Sequence, residues 1–483
     1  MQGYEALEPK AVWQIFARMS AVPRPSGHEG AVMESLQKWA AERGLATRRD
    51  AVGNMVVSIP ASPGREKAAP VVLQGHVDMV CEKNASVSHD FHADPIRMKV
   101  EDGWVRAEGT TLGADNGIGV SMALALAADS SVTHGPVEVL MTIDEERGLS
   151  GAKGIQAGFF QAKRMINLDS EEDDALFIGC AGGRDSAFDV PFLPGHVDPH
   201  WTGRAVAICG LTGGHSGLDI HRNRGNAIRI LTRLLLAGWD ATPLRIGAIA
   251  GGQLRNAIPR EASALVSVPA DRAAAFEEAV RACFERIRRE ELSGVDDGVT
   301  MAISEAEVSE AVLPEESRRI LDLLAAVPHG VTAMSQAVPG LVETSSNLGV
   351  VRTAQGQVDV VCCSRSSVGA SLDALAAQHL SIARLGGVGI TQEPGYPGWK
   401  PNPGSDLLGI VRRQYLSVFG REPDLKAVHA GLECGLFTER YPDLDIVSFG
   451  PNIVGAHSPD ERVEVASVQR VWKLLGGVLE ALA

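Results

Sequence analysis

The run VVLQGHVDM, residues 71–79, decides how the rest of the chain is read. Val71, Val72 and Leu73 predict a buried strand, and Gly75 marks a point of close backbone approach. Side chains two apart on a strand share a face, roughly 7 Å apart, so His76 and Asp78 project together while Val77 packs behind them. In an open α/β sheet, ligands lie beyond the carboxyl ends of the strands, where this pair falls. A histidine followed by such a carboxylate suits a metal ligand and the group that orients it. Polar residues satisfied at a strand end would look the same, so the pair needs company elsewhere.

Two further strands supply it. Residues 137–143 read as a strand running straight into Asp144, Glu145 and Glu146, and residues 165–168 form a short strand ending at Asp169. Three consecutive carboxylates at a strand end repel one another unless cations or protons compensate. Adjacent residues there are expected to point to opposite sides, separating Glu145 from Glu146. In GTTLGADNGIGVSMALALAA (109–128), glycines flank Asp115 and Asn116 ahead of a buried helix of small residues. Asp115 reads equally as a helix cap and as a carboxylate shared by two cations. His457 lies in a loop bounded by glycine and proline beyond a strand at 446–449. The recurrence points to a metal site of oxygen and imidazole ligands, for which zinc or manganese fits.

Other histidines read differently. His89, Asp90, His92 and Asp94 fit no ligand spacing and are expected in a solvated loop. His215, within TGGHSGLDIHRNRGNA (212–227), is either solvent-facing or delivered to a site in another domain.

A chain of 483 residues exceeds what one core usually supports, so two domains are expected. Composition is that of a soluble globular protein, and a net charge of −15 argues against a nucleic-acid partner. Seven cysteines without a CxxC fit a reducing compartment and no disulfide framework. No signal peptide and no run of about 18 apolar residues is evident, so the expectation is cytoplasmic, with no membrane partner. The order of elements predicts an α/β catalytic domain from residues 1–184 and 396–483. It is interrupted at 185–395 by an α+β insertion with antiparallel sheets, read as two similar halves without a clean repeat.

GHVD (75–78), GADNG (113–117), DEERG (144–148), LDSE (168–171), GGHSG (213–217) and GAHSPDE (455–461) occur in that order. Together they resemble the M20 metallopeptidase family, and HAGLECG (429–435) with the long insertion favours its aminoacyl-histidine dipeptidase branch. The resemblance implies a zinc-peptidase-like catalytic domain with a mixed central sheet, interrupted by an α+β lid. It implies two divalent metal ions, zinc foremost and manganese or cobalt also accepted. Asp115 would bridge them across a cis bond to Asn116, with His76 and Asp169 completing one ion and Glu146 and His457 the other. Asp78 would orient His76, and Glu145 would be the general base. From the lid, His215 would hold the oxyanion, Asn256 in LRNAIPREA the substrate, and Arg365 in CCSRSS its free carboxylate, with the two domains closing on a short cavity. The implied substrates are Xaa-His and other unblocked dipeptides, and a homodimer is compatible. Two other readings stand beside this one: an amidohydrolase of the same fold acting on N-acyl or N-carbamoyl amino acids, and a non-catalytic metal- or peptide-binding protein.

Overall fold

The strand expected at the opening motif forms and is buried along its whole length in the computed structural model, which describes residues 3–354 and 356–483. It belongs to a central sheet of eight strands: β1 (Ala46–Arg49), β2 (Met55–Ile59), β3 (Val71–His76), β4 (Val137–Thr142), β5 (Arg164–Asn167), β6 (Ala175–Cys180), β7 (Asp424–Val428) and β8 (Asp445–Ser448). Their order across the sheet is β1-β2-β4-β3-β5-β8-β6-β7. The four neighbours β4, β3, β5 and β8 are parallel, while β1 and β2 run antiparallel on one flank and β6 pairs antiparallel with β8. The sheet is therefore mixed. Its parallel strands are apolar runs because both faces are covered.

The helix Ala114–Ala125 packs on β3. Gly75 is required there: a Cβ at that position would lie 2.1 Å from Asn116 Oδ1. Helix and strand can approach this closely only without a side chain between them. Other helices of this unit include Lys10–Ser20, Asp406–Phe419 and Val465–Leu482.

By contacts the chain divides into two units: the described residues of 1–179 with 401–427 and 432–483, and residues 180–400 with 428–431. The second unit is built on one antiparallel sheet. Its first half holds strands Trp201–Cys209, Arg245–Gly251, Ala262–Pro269 and Thr300–Glu305, with helices Ala227–Ala241 and Ala273–Ile287. Its second half holds Gly182–Pro191, Val342–Ala354, Gln357–Ser366 and Gly389–Gln392, with helices Pro314–Ala326 and Gly369–Gly386. The halves meet where Ala250 and Gly251 pair with Arg352 and Val351. A continuous apolar core, including Phe188, Leu231, Phe276, Leu321 and Val360, runs beneath both.

Candidate metal centre

Each of the four parallel strands delivers candidate ligands to the same edge of the sheet. β3 ends on His76, the turn after β4 carries Glu145 and Glu146, β5 is followed by Asp169, and the loop after β8 carries His457. Asp115 enters from the start of the helix packed on β3, where its peptide bond to Asn116 is cis.

The side chains converge. His76 Nε2 lies 3.1 Å from Asp115 Oδ1 and 3.3 Å from Asp169 Oδ1. His457 Nε2 lies 3.2 Å from Asp115 Oδ2 and 3.0 Å from Glu146 Oε2. Potential ligand atoms of His76, Asp115 and Asp169 fall within 4.8 Å of one another, as do those of Asp115, Glu146 and His457. Asp115 is common to both groups. A third such group, His76 with Glu145 and Glu146, places Glu145 beside the same point.

A pair of cations fits these residues. Among the described residues the buried Glu146 Oε1 accepts no hydrogen bond, a costly state for a carboxylate oxygen unless a positive charge faces it. The donor set, carboxylate oxygen with imidazole nitrogen, suits zinc or manganese. Without cations, protons take their place. Burial alone would hold the His76 imidazolium down, but Asp169, Asp115 and Asp78 push its pKa well above the usual value. Hydrogen bonds to Asp115 and Glu146 raise His457 to about 11. Burial lifts Asp169 to about 6, with His76 opposing. Burial likewise carries Glu145 well above the ordinary carboxylate range; His76 opposes, while Asp169, Glu433 and Glu146 add to the rise.

Asp78 does two jobs. Its Oδ1 lies 3.3 Å from His76 Nδ1, fixing the ring. The same carboxylate accepts the backbone N–H groups of Glu145 at 3.1 Å and Glu146 at 3.2 Å, and the Ser26 hydroxyl at 2.7 Å. Burial would raise its pKa, but His76 and these donors pull it to about 2. This geometry corrects one expectation. Glu145 and Glu146 do not alternate across a strand end; they open a short helix, Glu145–Gly148, after Asp144 turns with φ +50°. The Asp78 carboxylate satisfies N–H groups that a helix start leaves free.

Two residues that the sequence reading gave no role hold the centre together. Glu461, buried and four residues past His457, accepts backbone N–H groups from Leu112 at 2.7 Å, Gly113 at 2.9 Å, Ala114 at 2.7 Å and Asp115 at 3.3 Å. It stood in the quoted motif GAHSPDE, but nothing local distinguishes it from a solvated acid. Arg24, between two prolines, is also buried and donates to the carbonyls of Val77 at 2.7 Å and Gly113 at 2.6 Å. The loop with His89, Asp90, His92 and Asp94 forms no metal-competent group among the described residues. Its aspartates accept from the loop's own backbone.

The second unit contains the other three candidates. His215 lies on a two-residue strand, and its Nδ1 accepts N–H groups from Gly217 at 3.2 Å and Leu218 at 3.1 Å. In the neutral ring the proton therefore sits on Nε2, leaving a free donor. Burial, helped by Arg365, lowers its pKa and keeps it neutral. Ser216 ties the set together: its N–H donates to Asn256 O at 2.8 Å, and its hydroxyl lies 3.4 Å from Arg365 Nε. Arg365 is buried, donates to the Tyr396 hydroxyl at 3.1 Å, and pairs with no carboxylate among the described residues.

The profile described as Peptidase family M20/M25/M40 matches residues 72–481. The cytosol non-specific dipeptidase of Escherichia coli (strain K12) is 41% identical over 483 residues, covering 100% of this chain and 99% of the relative. The crystal structure of an aminoacylhistidine dipeptidase from Vibrio alginolyticus superposes with a TM-score of 0.96 at 41% identity, covering 99% of this chain and 98% of that one. An aminopeptidase PepT from Bacillus cereus shares the fold at 15% identity, with a TM-score of 0.56 and 99% of each chain covered.

Proposed function

Because the chain belongs to peptidase family M20/M25/M40, we propose that it is a dimetal dipeptidase hydrolysing Xaa-His and other unblocked dipeptides. The observation that carries this reading is the pair of ligand groups sharing Asp115, with Glu145 beside them. Two divalent cations, with zinc the best match, would there lower the pKa of a water and polarise the scissile carbonyl.

The chain's own residues do the rest. Glu145, held by the Asp78 cap on its N–H, takes the proton of the attacking water and passes it to the leaving amine. Asp78 fixes the His76 ring, as carboxylates behind ligating histidines do. The neutral His215 offers its Nε2–H to the oxyanion that develops at the carbonyl. Arg365, buried and in no salt bridge among the described residues, grips the free carboxylate of the dipeptide with its planar fork, and Asn256 helps to hold the substrate. Among the described residues no helix is long and apolar enough to cross a membrane.

The test is hydrolysis of alanyl-histidine and β-alanyl-histidine, beside N-acetyl-histidine, by protein stripped with chelator and refilled with zinc. Zinc-dependent cleavage of the free dipeptides alone is expected. Cleavage of only the acetylated compound would overturn the dipeptidase reading in favour of an acylase.

A further inference from the structure

One buried carboxyl beside the centre has no part in that chemistry. Glu433 opens the helix Glu433–Arg440 and is 0% exposed. Its Oε2 accepts from Gln74 Nε2 at 2.6 Å and from Thr142 Oγ1 at 2.7 Å, and its Oε1 has no partner among the described residues. Gln74 Oε1 in turn accepts from Asn167 Nδ2 at 2.5 Å, and Asn167 Oδ1 accepts from the Ser448 hydroxyl at 2.5 Å. Ser448 has spent its proton on Asn167, so the 2.7 Å contact with Ser170 makes Ser170 the donor.

The bonds form a chain that runs one way, from Ser170 through Ser448, Asn167 and Gln74 to Glu433. Each amide could face either direction by itself. An acceptor at the end selects one: with Gln74 Nε2 committed to Glu433, its carbonyl must face Asn167. All the members are buried. Gln74 on β3 stands two residues before His76, and Asn167 on β5 two before Asp169. Thr142 ends β4 three residues before Glu145, and Ser448 ends β8, whose following loop carries His457. The chain thus links the four parallel strand ends one layer beneath the candidate ligands.

We propose that Glu433 is a positioning residue, the terminal acceptor of a directional hydrogen-bond chain that fixes the four strand ends at the spacing the metal pair requires. The inference rests on the dimetal reading of the site. With the acceptor removed, Gln74 Nε2 and the Thr142 hydroxyl lose their shared partner in a buried layer. The amides can then reverse and loosen the strand ends beyond them.

The test compares Glu433→Gln and Glu433→Met in the full chain, measuring zinc affinity by competition with a chromophoric chelator, stability by urea unfolding of the zinc-free protein, and dipeptide kinetics. Glutamine keeps an oxygen able to accept both bonds; methionine, of similar size, accepts neither. Glu433→Met should weaken zinc binding about 10–100-fold, as loss of groups supporting metal ligands does, and lower kcat with KM within about twofold. Glu433→Gln should stay within about threefold of wild type in zinc affinity. A methionine variant that is less stable but binds zinc like wild type would overturn the proposal, leaving Glu433 merely structural. Equal damage from both substitutions would also overturn it, since charge and not the acceptor would then matter. Should Glu433→Met fail to fold, Ser448→Ala removes a donor near the far end with little change in volume. It should weaken zinc binding about threefold or more; unchanged affinity would overturn the chain. Wild-type protein that binds no zinc would overturn the metal reading itself, a separate failure.

Discussion

Replacing Glu461 by glutamine perturbs the anchor of the Asp115 turn while leaving its volume almost unchanged. The carboxylate accepts two N–H groups on each oxygen: Leu112 and Gly113 on Oε2, Ala114 and Asp115 on Oε1. An amide keeps one oxygen and sets an NH₂ group against the other two donors. Two charge-assisted bonds are lost, at about 1.5–3 kcal/mol each, and the N–H groups they served are left buried and unpaired. The expected destabilisation of the first unit is therefore about 3–6 kcal/mol. Urea unfolding of the zinc-free protein measures it directly. Because the same carboxylate joins the segment carrying His457 to the one carrying Asp115, zinc affinity should also fall about 10–100-fold. A loss below about 1 kcal/mol with zinc affinity unchanged would refute the reasoning, since the four N–H groups would then have found other partners at no cost.

Asp115→Ala should remove both metals together, and a protein retaining one equivalent by elemental analysis would contradict the shared-ligand assignment. His215→Ala should lower kcat by roughly 100-fold or more with metal content intact; a fall in metal content would make His215 a ligand instead. Arg365→Met should raise KM for dipeptides with a free carboxylate and leave C-terminally amidated ones little changed; an equal rise for both would refute the carboxylate grip. Burial in the second unit holds His329 at about 3 (Arg229 adding), His379 at about 4, and His429 at about 3 (Arg365 and His215 adding). These folded values lie below the unfolded value near 6.5, so the unfolded chain binds more protons. Stability of that unit is then full above about pH 6.5 and falls as pH drops toward 4, by about 1.4 kcal/mol per pH unit for each histidine. Urea unfolding across that range checks the slope, which His379→Gln should flatten by one proton's share.

The centre was legible in the sequence where a residue ends an apolar strand. His76, the acids after β4, and Asp169 each terminate a run whose burial is written in its own side chains. Glu461 was not legible, because its partners are backbone groups 346 to 349 residues away and any acid in the loop would look alike. The helix at Glu145 was hidden for a related reason: its cap is Asp78, in the segment just past the end of β3. Strand Val342–Ala354 is not legible from hydropathy, because residues 344–347 are all polar. Three of them are buried with partners nonetheless: Thr344 bonds Ser366, Ser345 bonds His429, and Asn347 donates to the carbonyls of Arg255 and Ala257. Hydropathy cannot foresee polar groups satisfied across a sheet.

One device recurs around the centre. Asp78 accepts the N–H groups that open the Glu145 turn, and Glu461 accepts those that open the Asp115 turn. Glu29, also buried, accepts from Gly27 at 2.7 Å and from Asp144 at 3.0 Å, just ahead of the Glu145 turn. In each case a buried carboxylate holds a turn by its backbone and not by a side-chain cation. The N–H dipoles favour the charged form of Glu461 and Glu29 against burial, which still leaves both raised above the ordinary carboxylate value, while Asp78 is lowered by His76 as well. Arg24, the buried cation at hand, is itself occupied by the carbonyls of Val77, Asp78 and Gly113. Among the described residues Asp115, Glu146 and Asp169 pair with no arginine or lysine, only with the titratable imidazoles of His76 and His457. That is the electrostatic condition for holding two divalent ions tightly in a buried site.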